Sequence, residues 1–385
     1  MKITHVCLSA FYCEGYSYQE NLLPKYHRKM GYEVDLIASR QSFDENGRPC
    51  LLPGTEDYVN ADGIHVVRLD YARPERAGRL LRKYRGFMKA LEESAPDVLF
   101  VHGVQSAENA TLVRYVRAHP GTRMFMDNHA DYSNSATNWL SRHVLHRVVW
   151  RHYARLAEPY VERFWGVLPA RVDFLVENYG LPPEKCSLLV MGADDEEVAR
   201  ASDPAVRKAV RARLGFSEED FVVVTGGKID RAKTQTLLLM DAVLLMGDDV
   251  RLLVFGPVAP ELRGEFGTRL REGKVVHVPW ADSSESYDYF AAADVVCFPG
   301  RHSVYWEQAV AMGKPLIVKR WKGTEHVDVC DNVLFLEDDD AGEIHTRLSG
   351  ARAGLREGGL RERAVGAASG FRYSEIARRA IGEEG

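Results

Sequence analysis

One stretch near residue 300 constrains the fold of this chain most strongly. It contains an apolar strand, a turn with proline and glycine, a helix and a second apolar strand, in that order. This is the order of a βαβ unit, whose two strands run parallel in one sheet. Open parallel sheets hold ligands beyond the carboxyl ends of their strands, so we expect the turn to lie at a ligand site. The segments are the strand 295–298, the turn 299–303, the helix Val304–Met312 and the strand 316–318.

The same alternation of strands and helices runs through both halves of the chain. It predicts an α/β fold with parallel sheets that carry helices on both faces. A chain of 385 residues exceeds what one core usually holds, so we expect two domains, with the boundary in the charged segment near residue 195. Further strands are predicted at 3–8, 33–38, 64–69, 98–101, 123–126, 186–191, 221–225, 251–255 and 275–278, and further helices at 19–30, 77–94, 108–118, 140–165, 234–246, 284–292 and 371–381.

Composition limits the class of protein. The net charge of −5 gives no reason to expect nucleic acid as a partner. The six cysteines are scattered without a CxxC pair, which indicates reduced thiols and neither a zinc site nor a disulfide framework. The first residues read as a buried strand and not as a signal peptide. No segment approaches the roughly 18 apolar residues of a membrane span. We therefore expect a cytoplasmic protein with, at most, peripheral contact with the inner face of the membrane.

Glycines and lysines after the strand 221–225 suit a negatively charged ligand. Gly226 and Gly227 allow close approach of the backbone, and Lys228 and Lys233 lie around the start of the next helix. Two cations near a helix N-terminus suit a diphosphate. The sequence has neither a GxGxxG fingerprint nor a GxxxxGK[ST] loop, so a dinucleotide dehydrogenase and a P-loop kinase have no motif support.

The turn and helix near residue 300 supply the other predicted ligand contacts. The backbone amides of His302, Ser303 and Val304 open the helix and suit an anion. Glu307, one turn further on, has a carboxylate that suits the vicinal diol of a ribose. The alternative is a capping box with Ser303, which normally places the glutamate three residues after the cap instead of four. Both interpretations of Glu307 stay open from the sequence alone.

In the first half, Gly15, His102 and His129 each follow the carboxyl end of a predicted strand. These ends share one edge of a parallel sheet, so we expect the three residues at the same edge. Asp127 and Asp131 flank His129, and they either orient its ring or cap the loop.

Several motifs in order resemble those of the family 4 retaining glycosyltransferases. Lys228 and Lys233 match the family's basic residue and the lysine five positions on, and the run Glu307–Pro315 (EQAVAMGKP) is similar to its EAMAxGxP run. Gly31–Val34 (GYEV) resembles the family's GHEV, and Gly192–Asp194 (GAD) resembles its interdomain GVD. The likeness extends over nearly the whole chain.

The resemblance implies the GT-B architecture: two Rossmann-like domains with parallel sheets that face each other across a cleft. Residues 1–195, with a C-terminal helix at 369–385 that crosses back, would form the acceptor-binding domain, and 196–368 the nucleotide-sugar donor domain. The implied reaction moves a sugar, with retention, from a UDP, GDP or ADP donor to a glycan or lipid-linked acceptor in cell-surface glycan, glycolipid or polysaccharide assembly. It implies no cofactor and no obligatory metal.

The same resemblance assigns roles to single residues. Lys228 and Lys233 would hold the donor diphosphate and stabilise the departing nucleotide. Glu307 would hold the ribose, and His129 would contact the donor sugar. The remaining implied contacts are Gly15, Gly227, His302, Ser303 and Val304 with the nucleotide sugar, and Tyr16, His102 and Asp131 on the acceptor side.

The sequence departs from the family at two positions. Pro299 stands where the first glutamate of the E-x7-E motif belongs, and Lys228 stands where the family usually has arginine. Arginine and lysine differ in geometry, because lysine lacks the planar fork. These departures favour one alternative, a catalytically silent GT-B subunit that binds a nucleotide or a protein. A nucleotide-sugar epimerase is a further alternative, although we identify no acid and base carboxylates for it.

Two basic regions and one acidic run have more than one interpretation. Regions 68–89 and 142–155 are rich in arginine, which is typical of a solvated helix face but also of a surface that binds anionic lipid. The run Glu337–Asp340 either binds a metal or forms a solvated turn, and the turn is the commoner case.

Overall fold

The computed structural model describes residues 1–43 and 48–383, which divide into two α/β units. Unit 1 consists of Met1–Val190 and the tail from Ile376, and unit 2 consists of Met191–Glu375. The division falls five residues before the boundary that the sequence predicts.

The strands of unit 1 are short and mostly buried. All four residues of the strand Val98–Val101 are buried, as expected for a parallel strand covered on both faces. The strands are β1 Lys2–Cys7, β2 Glu33–Ser39, β3 Gln41–Phe43, β4 Pro49–Leu51, β5 Asp57–Val59, β6 His65–Leu69, β7 Val98–Val101, β8 Arg123–Asn128, β9 Arg163–Gly166 and β10 Cys186–Leu188.

Within the described residues of unit 1, these strands form an eight-stranded sheet in the order β10-β9-β8-β7-β1-β2-β6-β5, beside the separate antiparallel pair β3-β4. All neighbours in the large sheet are parallel except β5 and β6. The strands β1, β7 and β8 are adjacent at its centre, so the loops that follow them lie side by side.

Unit 1 has six α-helices among its described residues before the C-terminal tail: α1 Gln19–Lys29, α2 Glu75–Leu81, α3 Phe87–Ser94, α4 Asn109–Ala118, α5 Arg151–Ala157 and α6 Pro169–Tyr179. The single helix predicted at 77–94 is wrong. Arg82 and Gly86 both have left-handed backbones (φ 50° and 75°), which end α2 and start α3.

The helical region predicted at 140–165, as one long helix or two in tandem, is confirmed from Ser141 to Tyr160, where a 3-10 turn (Glu158–Tyr160) ends it. A π-helical segment, Ser141–Trp150, continues directly into α5, and the chain then enters strand β9. The sequence does not mark where the helical region ends, because a short buried strand such as β9 has no periodicity that distinguishes it from a helix.

Unit 2 repeats the alternation. Its strands are β11 Phe221–Gly226, β12 Val250–Phe255, β13 Val275–Val278, β14 Val295–Phe298, β15 Leu316–Lys319 and β16 Val333–Leu336. Its helices are α7 Asp195–Ala201, α8 Pro204–Leu214, α9 Gln235–Leu244, α10 Arg263–Gly267, α11 Ser283–Ala292, α12 Tyr305–Ala311, α13 Ala341–Arg356 and α14 Gly359–Ala367, and the C-terminal helix α15 Tyr373–Ala380 begins in this unit and ends in unit 1.

The six strands of unit 2 are all parallel and lie in the order β13-β12-β11-β14-β15-β16. The predicted βαβ unit is therefore present as β14, α12 and β15. Residues Trp306 to Ala311 of α12 are all buried. Because β11, β14 and β15 are neighbours, the loops at 227–234, 299–304 and 320–332 come together at one edge.

The tail of the chain is anchored in unit 1. Trp165 on β9 donates through Nε1 to the carbonyl of Ala380 at 3.0 Å, and Tyr32 donates to the Glu383 carboxylate at 2.7 Å. Ile376, Ala377 and Ala380 on α15 are fully buried, so this end of the helix packs into unit 1.

The acidic run Glu337–Asp340 has protein partners. Asp340 caps α13 by accepting from the Glu343 backbone at 2.7 Å. Asp339 lies 3.1 Å from Lys319 Nζ, and Glu337 lies 2.9 Å from Arg320 Nε. These contacts favour a capped turn over a metal site. None of the helices in the described residues combines the length and apolarity that crossing a bilayer requires.

Candidate functional site

Gly227 brings the loop after β11 close to a lysine and an aromatic ring. Its φ of 98° is left-handed, and its N–H donates to the Phe255 carbonyl at 3.0 Å. A β-carbon added there would lie 3.6 Å from Lys233 Nζ and 3.6 Å from Tyr305 Cε2. Glycine therefore satisfies the backbone conformation and keeps the space beside the ammonium group open.

Lys233 is held between the loops that follow β11 and β14. Its backbone N–H donates to Asp230 at 2.8 Å, and a β-carbon on Gly300 would lie 3.5 Å from Lys233 Cγ. The side chain is half-buried, and among the described residues its ammonium group has no hydrogen-bond or ion-pair partner. Burial lowers the pKa of Lys233, although Asp230 opposes the shift. A half-buried cation without a partner favours binding of an anion.

Lys228, unlike Lys233, is exposed and has an ion-pair partner. Its side chain is 69% exposed, and Nζ is 3.6 Å from Asp230 Oδ2. The structure thus brings Gly227 and Lys233 together, while Lys228 remains a solvated ion-pair partner on the same loop.

The turn before α12 supplies backbone donors. Within the described part of the chain, the N–H groups of Ser303 and Val304 have no hydrogen-bond acceptor, whereas the Ser303 carbonyl accepts from Trp306 at 2.9 Å. The helix begins at Tyr305, one residue later than predicted, and its N-cap has no side-chain hydrogen bond. The capping box of Ser303 with Glu307 is therefore wrong.

Glu307 is fully buried, at 0% exposure. Its Oε1 atom accepts from Nε2 of His302 and from Nε2 of His326, each at 2.8 Å. Burial alone would raise the pKa of Glu307, but the two histidines lower it to about 2. Oε2 is buried and has no partner among the described residues. One carboxylate oxygen thus remains for a ligand, not the two that a bidentate contact with a ribose needs.

His302, Glu307 and His326 form the only described group of histidine, cysteine and carboxylate side chains whose ligand atoms lie close enough to hold a metal, all within 4.8 Å. The N···O distances of 2.8 Å are those of ordinary hydrogen bonds. The second ring nitrogen of His326 has no partner in the described chain, whereas metal-bound histidines normally donate that N–H. The geometry favours a hydrogen-bonded triad.

In unit 1, His129 follows β8 and faces two carboxylates. Its Nε2 is buried and lies 3.5 Å from Asp127 Oδ2 and 3.9 Å from Glu20 Oε1. Burial alone would lower the pKa of His129, but Asp127 and Glu20 raise it. The side chain is 32% exposed, so part of the ring stays accessible to a ligand.

His102 lies in the core and not on the acceptor side. Its side chain is 0% exposed and bonds Asp127 at 2.9 Å through Nδ1 and His5 at 3.0 Å through Nε2. The prediction that His102 contacts the acceptor is therefore wrong. A polar residue at a strand end usually indicates a ligand edge, but here the ring turns inward to satisfy buried partners.

Gly15 and Tyr16 lie in the loop between β1 and α1. Gly15 has a left-handed φ of 76°, and an added β-carbon would meet nothing within 4 Å. Tyr16 is 39% exposed and packs beside Tyr18, with ring centroids 5.2 Å apart. Both residues remain accessible, as the predicted contacts require.

Asp131 caps the loop after β8. Its Oδ1 accepts from the Ser133 backbone at 2.7 Å and the Asn134 backbone at 3.1 Å, and its Oδ2 lies 3.2 Å from Arg171 Nε. Both oxygens are therefore occupied, which favours loop capping over a contact with the acceptor. Asp127, not Asp131, is the carboxylate that faces His129.

Sequence reasoning missed His326 and Glu20. His326 lies 19 positions after Glu307, in the loop after β15, and only the order of the sheet brings it back. Glu20, the second residue of α1, is buried although a charged residue there is usually solvated. No local pattern identifies either residue.

Comparison with known proteins gives a match in the first half of the chain. Residues 18–192 match the glycosyl transferase 4-like domain. Over 161 residues, the chain is 30% identical to D-inositol 3-phosphate glycosyltransferase 1 of Catenulispora acidiphila, a match that covers 38% of each protein. The chain thus spans well under half of the curated relatives that it matches.

Solved structures are similar over almost the whole chain. HepE (Alr3699) of Anabaena, in complex with UDP, has a TM-score of 0.65 at 16% identity, with 98% of each chain covered. WaaG, a glycosyltransferase involved in lipopolysaccharide biosynthesis, has a TM-score of 0.64 at 13% identity, with 99% of this chain and 100% of WaaG covered. The chain therefore has the GT-B fold and resembles the family 4 glycosyltransferases, with the glycosyl transferase 4-like domain at residues 18–192.

Proposed function

We propose that this chain is a retaining glycosyltransferase that moves a sugar from a nucleotide-diphosphate donor to a hydroxyl acceptor. The observation that carries the proposal is Lys233, a half-buried ammonium group without a protein partner in the described chain, between the glycine loops after β11 and β14. This is the edge of a parallel sheet where ligands bind. The HepE structures with UDP and with UDP-glucose support a nucleotide-sugar donor.

Lys233 and two amides stabilise the leaving group in this proposal. When the bond between the sugar C1 and the diphosphate oxygen breaks, its electron pair goes to the diphosphate. Preorganised positive groups aimed at that developing charge supply most of the acceleration. Lys233 and the N–H groups of Ser303 and Val304 serve this role, and the exposed Lys228 contributes less because it keeps its contact with Asp230.

Glu307 holds the ribose through one oxygen. Oε1 is committed to His302 and His326, so Oε2 accepts from a ribose hydroxyl. Because Oε2 is buried, the turn at His302 has to open for the ribose to enter.

His129 contacts the donor sugar in this proposal. Positive charge builds on the sugar ring as the bond breaks, and the His129 ring can bond a sugar hydroxyl while Asp127, 3.5 Å from its Nε2, supplies negative charge nearby. The acceptor hydroxyl attacks C1 on the same face, a new C–O bond forms, and the proton passes to the leaving phosphate oxygen. Gly15 is a further proposed contact of the nucleotide sugar, and Tyr16 is a proposed contact of the acceptor.

No obligatory metal enters this reaction scheme, because lysine and amide groups carry the positive charge. A catalytically silent GT-B subunit is the alternative, and Pro299 in place of the first E-x7-E glutamate favours it. A nucleotide-sugar epimerase has less support, because the described residues of the site include no unoccupied pair of carboxylates for acid and base.

Donor hydrolysis tests the proposal. The full chain is incubated with labelled UDP-, GDP- and ADP-sugars without acceptor, and release of free sugar is followed. A transferase cleaves one donor slowly, whereas a silent subunit binds nucleotide without cleavage. An epimerase converts the sugar while it stays attached, so analysis of the intact donor separates the third case.

We propose a glycan or lipid-linked acceptor, with peripheral contact with an anionic membrane. The segment 139–156 exposes Trp139 at 70% and Val148 at 61%, with Arg147 and Arg155 exposed on the same segment. Exposed apolar side chains beside arginines suit the boundary between lipid headgroups and acyl chains. In the other basic region, Arg68 is buried and bonds the Ser39 carbonyl at 3.1 Å, whereas most of the remaining cations are exposed: Arg73, Arg76, Arg79, Lys83, Arg85 and Lys89.

A further inference from the structure

A continuous row of hydrogen bonds crosses the core of unit 1. His27 Nε2 lies 2.8 Å from the Ala377 carbonyl, and His27 Nδ1 lies 2.9 Å from His5 Nε2. His5 Nδ1 lies 3.0 Å from His102 Nε2, and His102 Nδ1 lies 2.9 Å from Asp127 Oδ2. Three imidazoles thus connect a backbone carbonyl on α15 to the carboxylate that faces His129.

All three rings are removed from solvent. His5 on β1, His27 on α1 and His102 after β7 are each 0% exposed. Every ring nitrogen of the three has a partner, so the tautomers are fixed by the row itself and not by water. We call these residues the histidine row.

The number of protons in the row follows from its two ends. The Ala377 carbonyl only accepts hydrogen bonds, and an ionised Asp127 also only accepts. Four hydrogen bonds join these ends through three rings, and each bond needs one proton. Three neutral imidazoles carry three protons, so the fourth is an excess proton held inside the protein.

The excess proton belongs on His102. If it sat on Asp127 instead, the donors to that carboxylate would lose an ionised acceptor. Asp127 Oδ1 accepts from the Gly103 backbone at 2.7 Å, and Oδ2 accepts from Gln19 Nε2 at 3.1 Å. Hydrogen bonds to the charged form favour an ionised carboxylate. His5 and His27 are then neutral with the proton on Nε2, and His102 is protonated on both nitrogens.

The surrounding groups agree with this placement. Burial alone would lower the pKa of His102, but Cys7 and Asp127 raise it well above its usual value. Burial lowers the pKa of His27 to about 4 and that of His5 well below its usual value. For Asp127, burial opposes ionisation, but His129 and His102 hold its pKa below the usual range.

We propose that His5, His27 and His102 are positioning residues that hold one buried proton beside Asp127 and thereby limit how strongly Asp127 attracts a proton to His129 in the sugar-binding site. This role of His129 rests on the proposed function. Asp127 lies between the charged His102 and Nε2 of His129. The positive charge of His102, on the buried side, therefore offsets the negative charge of the carboxylate. The other charges near His129 are Glu20 on α1 and Arg171 on α6, which act in opposite directions.

Two substitutions of His27 separate the proton count from simple packing. Glutamine carries one donor and one acceptor, so His27→Gln can still donate to Ala377 and accept from His5. Methionine fills similar space with neither group. In His27→Met, two neutral rings satisfy the two remaining hydrogen bonds: His102 Nδ1 still donates to Asp127, and the bond between His5 and His102 reverses, so that His5 Nδ1 donates to His102 Nε2. The excess proton is then no longer required. Asp127 then lacks its internal counter-charge.

Imidazole ¹⁵N NMR of histidine-labelled full-length protein tests the proton count directly. We expect one imidazolium, assigned to His102, and two neutral Nε2–H rings, assigned to His5 and His27, all unchanged between pH 6 and pH 9. The His27→Gln protein keeps the imidazolium, and the His27→Met protein loses it near neutral pH. A neutral His102 in the wild-type protein would overturn the proposal even if the His27→Met protein failed to fold.

The pKa of His129, read from the same spectra, tests the consequence for the site. It rises by about one unit in the His27→Met protein, because the uncompensated Asp127 favours the charged ring. It stays at the wild-type value in the His27→Gln protein. An unchanged His129 pKa in the folded His27→Met protein would refute the positioning role. Neither readout depends on turnover, so both measurements test the proposal even if the chain has no transferase activity.

Discussion

Nε2 of His326 lies 2.8 Å from Oε1 of Glu307, and the two side chains are 2% and 0% exposed. The contact joins the loop after β15 to the first turn of α12. With the matching bond from His302, it places a buried charge between the two loops that flank the proposed ribose site. A carboxylate held in this way stabilises the fold only while it is ionised.

Replacement of Glu307 should therefore destabilise the protein in a pH-dependent manner. The pKa of Glu307 is lowered from 4.5 to about 2, so ionisation contributes stability above pH 4.5 that is lost as the pH falls towards 2. This shift corresponds to a contribution of about 3 kcal/mol at neutral pH. Denaturant unfolding of wild type and Glu307→Gln should show a difference at pH 7 that narrows at pH 3.

The exposed Glu357 provides the matched control. Glu357→Gln should leave the free energy of unfolding unchanged at both pH values. A difference between wild type and Glu307→Gln that stays constant from pH 7 to pH 3 would contradict the assigned ionisation.

Gly227→Ala should reduce donor binding and stability together. The left-handed backbone at Gly227 disfavours a side chain by about 1–2 kcal/mol, and the new methyl group would contact Lys233 Nζ. Gly264→Ala is the control, because that glycine lies in α10 with open space around the added carbon. Thermal unfolding and nucleotide titration of both variants would check this. Equal effects of the two substitutions would count against the role of Gly227.

Metal removal should leave donor hydrolysis unchanged. Lys233 and the amides of Ser303 and Val304 carry the positive charge in the proposed reaction. We expect the same hydrolysis rate after dialysis against EDTA and after addition of Mg²⁺, Mn²⁺ or Zn²⁺. Loss of activity in EDTA that one of these ions restores would show that the triad around Glu307, or another site, holds a catalytic metal.

The double variant Arg147→Glu/Arg155→Glu should bind anionic vesicles more weakly. Each arginine near an anionic membrane contributes about 1 kcal/mol, so two charge reversals should lower the partition coefficient by more than tenfold at low salt. Vesicle sedimentation with phosphatidylglycerol and phosphatidylcholine measures this. Lys208→Glu/Arg356→Glu, which changes two exposed cations in unit 2, should behave like wild type. Equal binding by all three proteins would rule out this surface as the membrane contact.

The sequence predicts the bounds of several strands correctly, because the pattern that marks a strand lies within the strand and the turns beside it. Val295–Phe298 is a continuous apolar run and Val275–Val278 is apolar except for His277, and both strands have the predicted bounds. The proximity of Lys233 to Gly227 is likewise local, because a glycine loop and a lysine adjoin one helix start in the sequence itself.

The remaining parts of the site depend on contacts between distant segments. His326 meets Glu307 only because β15 lies beside β14, and His102 turns inward only because His5 and Asp127 come from neighbouring strands. Burial of Glu20 likewise depends on packing around α1. The positions of these side chains depend on hydrogen bonds and packing between segments that are distant in the sequence. A single sequence contains no pattern that reveals such contacts.

The central claim is that Lys233 binds the donor pyrophosphate. Calorimetric titration of the full chain with UDP-, GDP- and ADP-sugars tests it most directly, with Lys208→Ala as a control in an exposed part of α8. We predict saturable binding of at least one donor by wild type and Lys208→Ala. In Lys233→Ala the affinity should fall about 10- to 100-fold, since a hydrogen bond to a charged group contributes about 1.5–3 kcal/mol. Undiminished donor affinity in a folded Lys233→Ala protein would contradict the account.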